Sequence, residues 1–133
     1  MRRWIPPLVW AAMILAASSD AFAARETGGL LHRLFGDLPY FAELHFLLRK
    51  AGHLAAYGLL AALTWRADRR VPVALGFALM IAMVDEWHQS TIPSRTGTGW
   101  DVLLDVVGAA IAVGVMRWWR LGSEESRRLK VEP

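Results

Sequence analysis

Most basic residues cluster between or at the edges of long apolar runs, and this arrangement constrains the fold more than any other feature of the chain. The runs cover residues 4–24, 46–66, 71–90 and 100–119. Each is close to the ~20 residues that a helix needs to cross ~30 Å of hydrocarbon. Basic clusters punctuate them: Arg2 and Arg3, then Arg66, Arg69 and Arg70, then Arg117 and Arg120 ahead of Arg127, Arg128 and Lys130. Hydrophobic residues make up 55% of the 133 and charged ones 20%. A soluble domain of this size buries only about two-thirds of its unfolded surface, so that composition would leave large exposed apolar patches. Lipid is the better solvent.

Alanine and leucine dominate the runs without alternation, which predicts helices and excludes barrel strands. The absence of cysteine excludes disulfides, thiolate metal sites and cysteine nucleophiles. The net charge of +3 is scattered between spans and forms no basic stripe on one face, so no nucleic-acid partner is expected. With the basic clusters inside, the chain crosses four times and both termini are cytoplasmic. The tryptophans fit this scheme, with Trp4, Trp65, Trp118 and Trp119 at inner boundaries and Trp87 and Trp100 at outer ones.

The predicted architecture is an all-α integral membrane bundle of four transmembrane helices over residues 1–121, followed by a polar cytoplasmic tail, 122–133. Ala67 to Arg70 reads as a tight inner hairpin, and Ser90 to Gly99 as an outer turn rich in Thr, Ser, Gly and Pro. Leu30, Leu31, Leu34, Phe35 and Leu38 repeat at helical spacing, which predicts a short outer interfacial helix stopped by Pro39. An alternative for the first run is a cleaved signal peptide, with Arg2 and Arg3 ahead of it and Ala21-Phe22-Ala23 as a small-x-small cleavage site.

Polar residues inside apolar spans carry the chemical information, because each costs roughly 2.5–3.5 kcal/mol at mid-bilayer. Lys50, His53 and Tyr57 fall at i, i+3 and i+7, on one helical face. Asp85, His88 and Gln89 share a face at the end of the third span, with Glu86 beside Gln89. Asp101, Asp105 and Gly108 form a stripe at the start of the fourth. The alternating direction of the spans brings all three stripes to the outer-leaflet level. Gly52 and Ala56, Gly58 and Ala62, and Gly108 and Ala112 are small-xxx-small pairs that let helices approach.

These groups suggest an outward-facing pocket. In it Lys50 and Arg95 hold phosphate or carboxylate, and His53 with Glu86 serves as an acid–base pair. Asp85, Asp101 and Asp105 orient or balance charge, and Gln89 and Tyr57 hydrogen-bond. The expected partner is an anionic membrane lipid or lipid-linked envelope precursor. The alternative is a structural interhelical network in an accessory protein; transport is a third class. No metal or other cofactor is expected, because HExxH and other dedicated ligand spacings are missing; a divalent metal among His53, Glu86, His88, Asp101 and Asp105 is the alternative.

The stretch Arg49-Lys50-Ala51-Gly52-His53-Leu54-Ala55-Ala56-Tyr57 resembles the R-K-x-x-H-x-x-x-Y element of the VanZ-like family. Asp85-Glu86-Trp87-His88-Gln89 is similar to its D-E-x-x-Q element, and Pro93-Ser94-Arg95 to P-G-R, with serine where glycine is common. Asp101 to Gly108 is similar to D-x-x-x-[ND]-x-x-G, and Ser18-Ser19-Asp20 to a weaker N-terminal signature. The resemblance spans roughly Ile14 to Val115. It implies a small multi-pass protein of the bacterial cytoplasmic membrane, from a family named for a factor associated with low-level teicoplanin resistance. It implies no particular reaction.

Overall fold

The computed structural model describes residues 1–18, 40–91 and 99–128. A short 3-10 turn, Arg2–Trp4, leads into α1 (Ile5–Ala17). Three longer helices follow: α2 (Phe41–Ala67), α3 (Val71–Ser90) and α4 (Gly99–Arg128). There is no strand among the described residues. Proline sits in the first turn of α1 (Pro6, Pro7) and of α3 (Pro72), where its missing N–H breaks no helical bond.

The α2–α3 hairpin is as tight as the sequence predicts. Asp68 leaves the helical region and accepts hydrogen bonds from the Arg70 backbone N–H (3.1 Å) and Nε (2.9 Å) on Oδ1, and from Arg70 Nη2 (2.7 Å) on Oδ2. A side chain bonding the backbone two residues on closes the turn. The Arg70 guanidinium holds the Asp68 carboxyl below its ordinary range, chiefly through these hydrogen bonds. A depressed folded-state pKa contributes stability that is present above the unfolded-state value and is lost as pH falls through the folded one. Acidification below the usual carboxylate range therefore loosens this turn, and Asp68→Asn removes that acid dependence. Amide hydrogen exchange at Arg70, measured across acid pH in both proteins, checks it.

Helix α2 packs most extensively on α4, then α3 on α4 and α2 on α3, while α1 rests against α2 and α3. The core is small and alanine-rich: Leu60, Ala61 and Trp65 from α2, Ala74, Ala78, Ile81 and Ala82 from α3, Ala109 and Val113 from α4. Helix α1 adds Ala11 and Ile14, and Trp10 Nε1 donates to the Ala56 carbonyl at 2.9 Å. Trp4 meets Phe77 edge-on, so α1 begins at the hairpin end of the bundle and runs parallel to α3. Trp65, expected at a membrane boundary, is instead buried in the core, with the Arg69 guanidinium 4.7 Å above its ring.

The outside of the bundle is more apolar than much of its inside. Leu79, Met80, Met83 and Val84 of α3 and Leu103, Val107, Ile111 and Val115 of α4 are exposed, while Thr64, Asp85, Gln89 and Asp105 are buried. Val71–Ser90 and Gly99–Glu124 are long and apolar enough to cross a membrane, yet only 28% and 22% of their most apolar windows are buried. A helix from a soluble core would be mostly covered.

The other two predicted spans differ. Helix α1 has 13 residues, about 20 Å at ~1.5 Å per residue. The rest of the expected span, 19–24, lies outside the described residues, as do the predicted interfacial helix and the 92–98 turn. Helix α2 has 27 residues, but Glu43, Arg49 and Lys50 make its beginning polar. Part of the predicted tail is helical, because α4 continues past Gly122 to Arg128. An Arg120–Glu124 pair (2.9 Å) and the Ser123 and Ser126 hydroxyls, bonded to Arg120 and Gly122 carbonyls, support that extension.

Candidate functional site

The site forms at the end of the bundle opposite the hairpin, where α2 and α4 begin and α3 finishes. Three rungs link the helices there. At the first, Lys50 Nζ pairs with Asp101 Oδ1, and the ammonium lies 5.4 Å from the Phe46 ring centroid. One turn deeper, His53 Nδ1 faces Asp105 Oδ1 at 3.4 Å, too loosely aligned to make a hydrogen bond. At the third, the Tyr57 hydroxyl donates to Asp85 Oδ2 (3.1 Å), and Gln89 Nε2 donates to the same oxygen (3.0 Å). The His53 and Tyr57 rings stack loosely, 6.4 Å apart.

The rungs follow from helical geometry. Residues 50, 53 and 57 share one face of α2, and at ~1.5 Å per residue they descend about 10 Å. Residues 101 and 105 share a face of α4, as do 85 and 89 on α3. The close approach of α2 and α4 sets their alignment. A Cβ on Gly108 would collide with the Leu54 carbonyl oxygen and lie 3.0 Å from Leu54 Cα, and one on Gly58 would lie 3.3 Å from the Gly108 carbonyl. Gly52, another predicted contact, has nothing within 4 Å of the same position.

Burial increases along the ladder. The side chains of Lys50 and His53 are 24% and 28% exposed, that of Asp105 is 4% exposed, and Asp85 as a residue is 1% exposed. Cationic and imidazole groups thus line a mouth, and acids form the floor. Among the described residues, three buried carboxylate oxygens have no hydrogen-bond partner: Asp85 Oδ1, Glu86 Oε1 and Asp105 Oδ1.

Two pairings differ from the sequence expectation. His53 faces Asp105, whereas Glu86 was its expected acid–base partner. His88 does not share the buried face of Asp85 and Gln89. At 100° per residue it points about 60° away from Asp85. It is exposed and lines an apolar groove of about 520 Å³ with Leu15, Ala16, Val84, Trp87 and Thr91. Among the described residues, no group of three or more His, Asp or Glu side chains is placed to hold a metal ion. Arg95 lies outside the described residues. Sequence reasoning missed Phe46 and Leu54, which the apolar pattern does not single out; the first flanks Lys50, and the second takes the backbone of Gly108.

Comparison with known proteins bears on this arrangement. No curated protein and no solved structure matches the chain. A family model does, over residues 4–120, and it includes α1 and every residue of the ladder. That match covers most of the chain and joins the two apolar candidate spans as evidence for a membrane location. The chain belongs to the VanZ/LLP1 family.

Proposed function

We propose that this protein crosses a bacterial cytoplasmic membrane four times, with both termini cytoplasmic. Its outward-facing recess recognises an anionic envelope lipid or lipid-linked glycan precursor. The observation that carries the reading is the graded recess, with Lys50 and His53 partly open at its mouth and acids closed beneath them. An ammonium already held by Asp101 and a neighbouring ring is pre-organised to donate to a phosphate or carboxylate oxygen. Arg95, between α3 and α4 in the sequence, supplies a second cation. Asp105 faces His53, and Tyr57, Asp85 and Gln89 fix the floor. Any acid–base chemistry falls to His53 and Glu86. Glycopeptide resistance of the teicoplanin type is the physiological setting that the family name suggests.

Native mass spectrometry of gently purified protein tests the reading. The wild type is expected to retain an anionic lipid or lipid-linked glycan, and Lys50→Ala and Arg95→Ala to lose most of it. Identical lipid complements in all three would end it.

The interhelical pairs favour a second reading, a structural network in an accessory protein. Buried ion pairs often add little net stability and are retained for register. His53→Ala and Glu86→Gln separate the two. Loss of the envelope phenotype at unchanged abundance and thermal stability supports a site, whereas collapse of the folded protein supports a network.

A further inference from the structure

The floor of the recess does not balance its own hydrogen bonds. Three carboxylates lie toward it, Asp85 and Glu86 from α3 and Asp105 from α4, while Asp101 pairs with Lys50 at the mouth. The groups facing them are Lys50, His53 and Tyr57 from α2 and Gln89 from α3; α1 carries no ionisable side chain. Lys50 pairs with Asp101, and among the described residues His53 is the cationic candidate that faces Asp105. Tyr57 and Gln89 both spend their bonds on a single oxygen, Asp85 Oδ2. Asp85 Oδ1 and Asp105 Oδ1 are left without a donor on residues only 1% and 3% exposed, and buried Glu86 Oε1 is in the same position. Asp85, Glu86 and Asp105 lie within electrostatic reach of one another and of Tyr57.

An ionised carboxylate is an acceptor only, so three of them cannot satisfy one another. A proton changes this, because it turns one acid into a donor and its neighbour into the acceptor, and it removes a buried charge. It is also small enough to reach oxygens that no larger ligand touches. We propose that Glu86 and Asp105, on either side of Asp85, form a proton-binding site that holds an exchangeable proton. Glu86 and His53, both partly exposed, connect it to solvent, whereas Asp85 and Asp105 do not. The inference stands on the hydrogen-bond geometry and does not depend on which lipid enters the recess.

Infrared spectroscopy of the purified full-length protein at neutral pH is decisive. The expected result is a protonated-carboxyl C=O band that shifts in D2O and is diminished in Glu86→Gln or Asp105→Asn. Dicyclohexylcarbodiimide, an apolar reagent that needs the carboxyl proton, reports on the wild type even where a variant fails to fold. Peptide mapping is expected to find its adduct at Glu86, decreasing as pH rises, and none at Asp101. A wild-type spectrum without the band overturns the proposal and leaves ionised acids solvated by bound water. A band that survives in both variants, with no adduct at any of the three acids, overturns it equally.

Discussion

Gly108→Ala is expected to destabilise the folded protein by about 3 kcal/mol, because the added methyl meets backbone and not a movable side chain. Its Cβ collides with the Leu54 carbonyl oxygen and sits 3.0 Å from Leu54 Cα, so α2 and α4 must separate. Against this, alanine in a helix interior is favoured over glycine by roughly 1 kcal/mol, which makes the net sign a test of packing alone. Gly114→Ala in the same helix is the control: its Cβ position has nothing within 4 Å, and the variant should match or exceed the wild type. Thermal unfolding in detergent compares them. Gly108→Val should be worse than Gly108→Ala, and the Lys50–Asp101 and His53–Asp105 pairs, within two turns of the contact, should lose register with it. Equal melting temperatures for Gly108→Ala and wild type would contradict the close approach.

That contact shows where the sequence stops being informative. Small-xxx-small spacing recurs throughout an alanine-rich chain, so Gly52 with Ala56 looks as suitable as Gly58 or Gly108. Which pair is used depends on where two helix axes cross, and the crossing point is a property of both helices together. The same limit applies at the site. Period 3.6 and alternating helix direction place residues 50, 53 and 57, 85 and 89, and 101 and 105 at one end of the bundle. They do not fix how far each helix is rotated about its axis. A rotation of a few tens of degrees decides whether His53 meets Glu86 or Asp105 and whether His88 faces the recess or α1.

Span assignment was limited for a different reason. Hydropathy identifies helices with a long, nearly uncharged apolar stretch, and α3 and α4 are of that kind. Helix α2 carries Lys50, His53 and Tyr57 toward α4 and the exposed Glu43, Arg49 and Arg66 elsewhere, so its average falls although Leu48 and Leu59 are exposed apolar residues. An average along the chain cannot see which face carries which residue. The polar tail begins as a continuation of α4, which the i,i+4 pairing of Arg120 and Glu124 supports.

The second large effect is expected at Asp85. Replacing it with alanine removes the acceptor for both the Tyr57 hydroxyl and the Gln89 amide. An unsatisfied buried donor costs about 1–3 kcal/mol, so Asp85→Ala should lose roughly 2–4 kcal/mol, partly offset by removal of a buried acid. Tyr57→Phe removes one donor and leaves Asp85 bonded to Gln89, at a cost of about 1 kcal/mol. In the double variant the hydroxyl that Asp85→Ala would have orphaned is gone. Its loss should therefore be close to that of Asp85→Ala alone, a coupling of about 1 kcal/mol or more. Asp85→Asn should be much milder, because its amide oxygen can still accept both bonds while its nitrogen replaces the unpartnered Oδ1 with a donor facing the other acids. Denaturant titrations of the four variants in one detergent measure all of this. Strict additivity of Asp85→Ala and Tyr57→Phe would mean that the two side chains do not share a bond in the folded protein, and the floor of the recess would have to be redrawn.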